Sequence, residues 1–175
     1  MINYRITKFD PRKRNKQGHF LDNSEWTAIS DIGKSAYKYV TYEEYEKVET
    51  TYIDAVRLIL REKNLNSLEV DGLEASYYTK EAFEEDTLSG RLRNIEVDYH
   101  DEIATLKNGT TLSLAEIPTI MRLILRECIW MKLLQADFSL TFGYDYYMYV
   151  KCYNLKGATI KAIEKMNLFV EPYSK

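Results

Sequence analysis

The stretch Phe138-Ser-Leu-Thr-Phe-Gly-Tyr-Asp-Tyr-Tyr-Met-Tyr-Val-Lys-Cys-Tyr153 decides the fold class. Phe138, Leu140 and Phe142 alternate with Ser139, Thr141 and Gly143, the period of a strand with one buried face. Gly143-Tyr144-Asp145 offers a bend. Beyond it Tyr146, Met148, Val150 and Cys152 fall on one side of a second strand, and Tyr147, Tyr149, Lys151 and Tyr153 on the other. Two strands joined this closely pair as a hairpin, so the sheet contains antiparallel neighbours and is not assembled from βαβ units alone.

Upstream, Arg57-Leu-Ile-Leu-Arg-Glu62 recurs letter for letter as Arg122-Leu-Ile-Leu-Arg-Glu127. Each copy closes a helical pattern and precedes a strand pattern, which makes an internal αβ repeat. Two copies are too few for a solenoid, which needs about three stacked units to bury a continuous core. In the first copy Thr41-Tyr-Glu-Glu44 reads as a capping box, and Val48, Tyr52, Ala55, Val56, Ile59 and Leu60 recur at helical spacing. Glu46, Glu49, Asp54, Arg57 and Arg61 are expected on the solvent side. Leu65 to Leu73 is the strand that follows. In the second copy Ile117, Ile120, Met121, Ile124 and Cys128 form the apolar stripe. Its helix starts either at a Ser113/Glu116 capping box or at Ile117 with Pro118 in the first turn.

The remaining elements are shorter. Ile2 to Phe9 alternates as a strand ended by Asp10-Pro11, Gly157 to Met166 is an amphipathic helix, and Leu168 to Val170 is a last strand. Ile95 to Tyr99 and Ile103 to Leu106 read as short strands, with Lys107-Asn-Gly-Thr110 turning a hairpin back to Leu112. Residues 11–40 are a long connection pinned by Trp26, Ile29 and Ile32, and 75–102 are an irregular acidic insert. The expectation is one α+β domain over residues 1–175: a mixed sheet with hairpins, covered by about three helices.

At 175 residues, 45% hydrophobic and 13% aromatic, the chain is large and apolar enough for its own core. No apolar run approaches the roughly 18 residues needed to cross a bilayer, and the N-terminus has no apolar leader, so a cytoplasmic location is expected. Cys128 and Cys152 are expected as reduced core residues, since two cysteines make no disulfide framework in a chain of this size.

Charge is distributed unevenly. Residues 69–102 hold eleven acids against three bases, a net −8, while the whole chain is at −3 and the remainder therefore at +5. The acids Glu84, Glu85, Asp86, Glu96, Asp98, Asp101 and Glu102 are candidates for a partner surface, and the plainer reading is a solvated face. Fifteen tyrosines are the other departure from average composition. Tyr147 and Tyr149 would line the side of their strand opposite Met148 and Val150, either as a binding row or as ordinary core beneath a second helical layer. Nucleic acid is disfavoured, because the net charge is negative and only Lys151 interleaves the row.

Signatures of catalysis are missing. His19 and His100 stand in different segments without a second histidine at metal-ligand spacing, and Asp98-Tyr-His-Asp101 reads as a charged surface turn before it reads as acid–base chemistry. The seven glycines are scattered and form no phosphate loop, and no nucleophile elbow, zinc-protease or Cys-x-x-Cys motif occurs. No cofactor, no metal and no enzymatic activity are expected. The alternative reading is a small enzyme or small-ligand-binding domain with a pocket near the 11–40 connection, Trp26 and Asp31 being its residues. Self-assembly through a sheet edge is a third reading.

Five stretches carry a resemblance: Tyr4-Arg-Ile-Thr-Lys8, Glu25-Trp-Thr-Ala-Ile-Ser-Asp-Ile-Gly33, Leu125-Arg-Glu127, Phe142-Gly-Tyr-Asp-Tyr-Tyr-Met-Tyr-Val150 and Leu168-Phe-Val-Glu171. In these the chain resembles a group of small uncharacterised proteins of Gram-positive bacteria, some of them associated with immunity proteins of polymorphic toxin systems. The resemblance implies a binding role with no catalytic residues to carry over. An immunity protein must block its toxin fast and tightly, and an acidic face suits a basic toxin because charge complementarity raises the on-rate.

Overall fold

Alternation written in the strands becomes rows across a sheet. The computed structural model describes residues 1–22, 25–32, 40–75, 81, 84–85, 103–143 and 146–173. Seven strands, β1 (Ile2–Thr7), β2 (Ser67–Glu74), β3 (Thr111–Ser113), β4 (Trp130–Gln135), β5 (Phe138–Phe142), β6 (Met148–Cys152) and β7 (Phe169–Pro172), form one sheet. Their order is β3-β2-β4-β5-β6-β1-β7, and every neighbouring pair is antiparallel. The expected β5–β6 hairpin is its centre, and the α+β class stands, although the described strands make an antiparallel sheet and not a mixed one. The reason is that β1 and β2 are not neighbours: the helix between them crosses the β4-β5-β6 meander and delivers β2 to the far side.

Val70, Leu133, Leu140, Val150 and Tyr4 stand opposite one another across five strands, and all five are buried. Against this face lie α1 (Tyr42–Glu62), α2 (Ile117–Leu125) and α3 (Gly157–Glu164). One residue further along, the pairing runs Asp71, Lys132, Thr141, Tyr149, Arg5 and Glu171, a polar row on the other face. Burial of one row and partial exposure of the other is what a one-residue register slip would exchange, so the register is strongly specified. Gly143 has a local reason: a Cβ there would lie 2.9 Å from Tyr149 Cε2, because the tyrosine ring closes over the glycine.

The first helix begins as read. Thr41 Oγ1 accepts from the Glu44 N–H, and Glu44 Oε2 accepts from the Thr41 N–H, at 3.2 and 2.9 Å. Its buried side holds Tyr45, Tyr52, Ile53, Ala55, Val56, Ile59 and Leu60, with Val48 half-buried. Glu49 is the exception to the expected solvent side: it is completely buried, for a reason that lies in α2. The second helix starts at Ile117 with Pro118 in its first turn, and the Ser113 N–H and hydroxyl both donate to the Glu116 carboxylate just before it.

Residues 103–105 are helical and not a strand. The turn at Lys107–Thr110 does form, with the Thr110 N–H donating to the Lys107 carbonyl, but φ is +87° at Gly109 and not positive at Asn108. That is the backbone of a type II turn, whose twist does not match a two-residue hairpin. It feeds β3 onto β2 instead. The expected strand at 95–99 and most of the acidic insert lie outside the described residues. Trp26 and Ile29 are buried and Ile32 packs against the core, so the described part of the 11–40 connection is pinned as expected. Both cysteines are buried and unpaired by disulfide.

Candidate binding site

β2 ends, β4 begins and β5 ends at one end of the sheet, and the C-terminus of α2 meets them there. A cavity of about 440 Å³ opens at this junction, within the range of about 300–1,000 Å³ common for ligand pockets. Ile124, Leu125, Ile129, Trp130 and Phe142 give it apolar walls. Its described charged residues are both carboxylates, Glu74 and Glu127, and both residues are exposed.

Each of these side chains has a local cause for its position. Glu74 follows a bulge: pairing with β4 shifts register between Asp71 and Glu74, φ is +62° at Gly72, and the Trp130 ring lies beside that glycine. The Trp130 indole N–H donates to the Phe142 carbonyl at 2.8 Å, which fixes the ring as a wall. Glu127 follows from how α2 stops. The Cys128 N–H reaches the Leu123 carbonyl and the Glu127 N–H the Ile124 carbonyl, a Schellman closure that requires a left-handed residue, and Glu127 takes it at φ +60°.

Behind the cavity runs a buried polar chain. The Tyr146 hydroxyl donates to the Tyr45 hydroxyl, which donates to the Leu125 carbonyl, one of the carbonyls a helix end leaves without an internal partner. The Tyr52 hydroxyl donates to the Tyr146 carbonyl at 2.7 Å and accepts from the Lys8 N–H at 2.8 Å. Tyr146 sits at φ +61°, and hydrogen bonds at both its ends hold it there. Next to it, Arg126 donates two hydrogen bonds of 2.7 Å to Glu49, and both side chains are fully buried. Arg122 Nε lies 3.6 Å from the same carboxylate.

Lys8 completes the chain over Trp26. Its ammonium lies 3.7 Å from the ring centroid, donates to the Trp26 carbonyl, and stands 3.6 Å from Glu25. Burial pushes Lys8 down from its ordinary 10.5 to about 8, with Glu25 and Asp31 opposing that fall. Burial pushes Tyr45, Tyr52 and Tyr146 the other way, well above the usual phenol range.

The two effects have opposite signs in stability. Between pH 8 and 10.5 the unfolded chain holds a proton on Lys8 that the folded chain has released, so stability should rise with pH, by at most about 3 kcal/mol. Above about pH 10 unfolded tyrosines ionise while the buried three cannot, so stability should then fall steeply. Urea unfolding at several alkaline pH values checks this, and Lys8→Met should flatten the rising limb alone.

The expected site residues separate. Glu84 and Glu85 are exposed in helical backbone, whereas Asp86, Glu96, Asp98, Asp101 and Glu102 lie outside the described residues. Tyr147 and Tyr149 are half-buried on the polar face. The Arg5 guanidinium lies 5.5 Å from the Tyr147 ring centroid and 5.0 Å from that of Tyr173, which in turn packs on Tyr149 at 5.1 Å. Arg5 and Arg14 share Glu171 Oε1, so this row is tied into an arginine cluster as well as half-covered.

Trp26 and Asp31 do not line the cavity among its described residues; they position one that does. Trp26 packs edge-on to Tyr146 at 5.1 Å, and Asp31 Oδ2 accepts from the Thr27 and Ala28 N–H groups at 2.9 and 3.2 Å. Thr27, held between them, reaches the cavity. Glu74, Glu127 and Trp130 escape the sequence reading as site residues. Glu74 was visible only as one of the eleven acids of residues 69–102, and Glu127 only as the last letter of the repeat.

Comparison with family models, with curated proteins and with solved structures gives no match for this chain. Among the described residues no group of acids, histidines and cysteines could hold a metal ion, and no helix is long and apolar enough to cross a membrane.

Proposed function

We propose that the protein is a non-enzymatic binding module of the immunity type, which neutralises a cognate bacterial toxin by covering its active site. The observation that carries the reading is the display of carboxylates along the acidic segment. Glu69, Glu74, Glu84 and Glu85 are all exposed, and none of the four forms an ion pair with a described residue. Carboxylates left in solvent on one segment at net −8 steer a basic partner and add little to the stability of the fold itself.

Charge reversal separates these roles. Glu84→Lys with Glu85→Lys should slow association with the purified partner by about tenfold or more at low salt, leave the dissociation rate nearly unchanged, and lose its effect as ionic strength rises. Stopped-flow association rates at several salt concentrations, with the melting temperature of each variant, check this. An equal rate for variant and parent would place the partner elsewhere.

A second reading, a small-ligand pocket beside the 11–40 connection, is favoured by the cavity that Thr27 reaches. Self-assembly through a sheet edge has less behind it. Among the described strands the edges are β3, of three residues, and β7, which ends in Pro172, and short or proline-bearing edges discourage strand addition.

A further inference from the structure

We infer that Arg14, with Arg5 beside it, forms a binding site for a carboxylate on the polar face of the sheet. This site is independent of the acidic segment and goes beyond the binding reading above. Arg14 opens a short hairpin that closes at Phe20, with the Asn15 N–H donating to the His19 carbonyl and the Leu21 N–H to the Lys13 carbonyl. Its side chain is only 6% exposed and reaches β7, where Nη1 donates to Glu171 Oε1 at 2.5 Å. Arg5 Nε donates to the same oxygen at 2.8 Å. On the other edge of the Arg14 guanidinium, Nε and Nη2 are both buried, and neither has a hydrogen-bond partner. Those two N–H groups point the same way, at the spacing of the two oxygens of a carboxylate.

A buried donor without an acceptor costs free energy, and folded proteins keep few of them. Two on one side chain, along the edge shaped for bidentate contact, point to an oxyanion ligand. The charge balance agrees. Among the described residues Glu171 is the one acid paired with either arginine, so two guanidiniums face one carboxylate and one positive charge is left over. The Tyr147 ring lets the two cations stand together, since their Cζ atoms lie 5.5 and 5.6 Å from its centroid. A second carboxylate cancels the excess charge, whereas a phosphate dianion would overshoot it among the rings of Tyr147, Phe9 and Phe20. Nε and Nη2 are out of solvent as they stand, so the ligand enters by lifting the hairpin, whose Phe20 ring rests on Phe9 at 4.8 Å.

The test uses the full chain and defined probes. Acetate, benzoate, benzamide and inorganic phosphate are titrated at constant ionic strength while the Arg14 Nε–H resonance, assigned by its loss in Arg14→Lys, is followed by NMR. Acetate and benzoate should bind with a roughly millimolar Kd and move that signal, phosphate should bind more weakly, and benzamide should not bind. Arg14→Lys keeps the charge and a donor for Glu171 but lacks the paired edge, so it should weaken benzoate about tenfold or more. Its melting temperature is measured alongside, and the comparison of probes on the parent decides the matter even where that variant folds poorly.

An end-blocked Gly-Gly-Glu-Gly-Gly peptide separates the sources of the carboxylate. Binding as tight as that of acetate assigns the site to an acidic side chain of a protein, and exclusion of the peptide while benzoate binds assigns it to a free small carboxylate. Equal binding of benzoate and benzamide, tighter binding of phosphate than of acetate, or an Arg14 signal indifferent to every carboxylate would overturn the inference.

Discussion

Arg126→Met should lower the free energy of unfolding by about 3–5 kcal/mol, because it strands the buried Glu49 carboxylate. Both side chains are 0% exposed and joined by two hydrogen bonds, so nothing from solvent can replace the guanidinium. Arg122, 3.6 Å away, can move in on Glu49, which places the expected loss toward the lower end of that range. Against a typical total of about 5–15 kcal/mol this is a large fraction. Removing both charges in Glu49→Leu with Arg126→Met should recover most of it, since the desolvation cost then disappears with the attraction. Arg61→Met alters the corresponding letter of the first repeat, an exposed arginine, and should change stability by less than about 0.5 kcal/mol. Urea melts of the three variants and the parent measure all of this. A loss below about 1 kcal/mol for Arg126→Met would mean that the pair is not the desolvated clamp between α1 and α2 described here.

That contrast shows where sequence reading stops. The two hexapeptides are identical, and both do end a helix before a strand. Their internal periodicity cannot say which arginine meets a buried acid, because the acid is Glu49, 77 positions away along the chain. Nor can it say where each helix stops. In the first copy Glu62 is still helical and accepts from the Lys156 N–H at the start of α3; in the second Glu127 has already turned left-handed. Glu49 was expected in solvent for the same reason, since a glutamate on a helix is normally exposed and only its partner overrides that rule.

What depends on neighbours in sequence was legible. The capping box at Thr41, the strand alternation and the β5–β6 hairpin all arise within a few residues of the letters that specify them. The antiparallel order of the sheet was not, because it depends on which strand α1 carries the chain to. The cavity was hidden for a similar reason: its walls come from α2, β4, β5 and the 11–40 connection, and no local pattern links them.

Trp26→Ala should cost about 3–5 kcal/mol, the scale for emptying a large aromatic site in a core. The ring is 6% exposed and packs against Tyr45 and Tyr146 with the Lys8 ammonium over it. Its removal would therefore loosen Tyr146 and Thr27 together, and any loss of binding would follow from the fold. Asp31→Ala, which removes the acceptor of the Thr27 and Ala28 N–H groups and of the Thr27 hydroxyl, should cost about 1–3 kcal/mol. Thermal melts read both, and a Trp26→Ala protein that melted like the parent would contradict the anchoring role.

The most direct measurement of the central claim is capture of a partner from lysate and medium of the source organism, with the full chain as bait, at low and high salt. Retained proteins are identified by mass spectrometry and compared with a Glu84→Lys/Glu85→Lys bait. A basic protein should be held at low salt, weakened at high salt and lost with the charge-reversed bait. Retention of nothing but the bait itself, or of a partner indifferent to both salt and charge reversal, would contradict it.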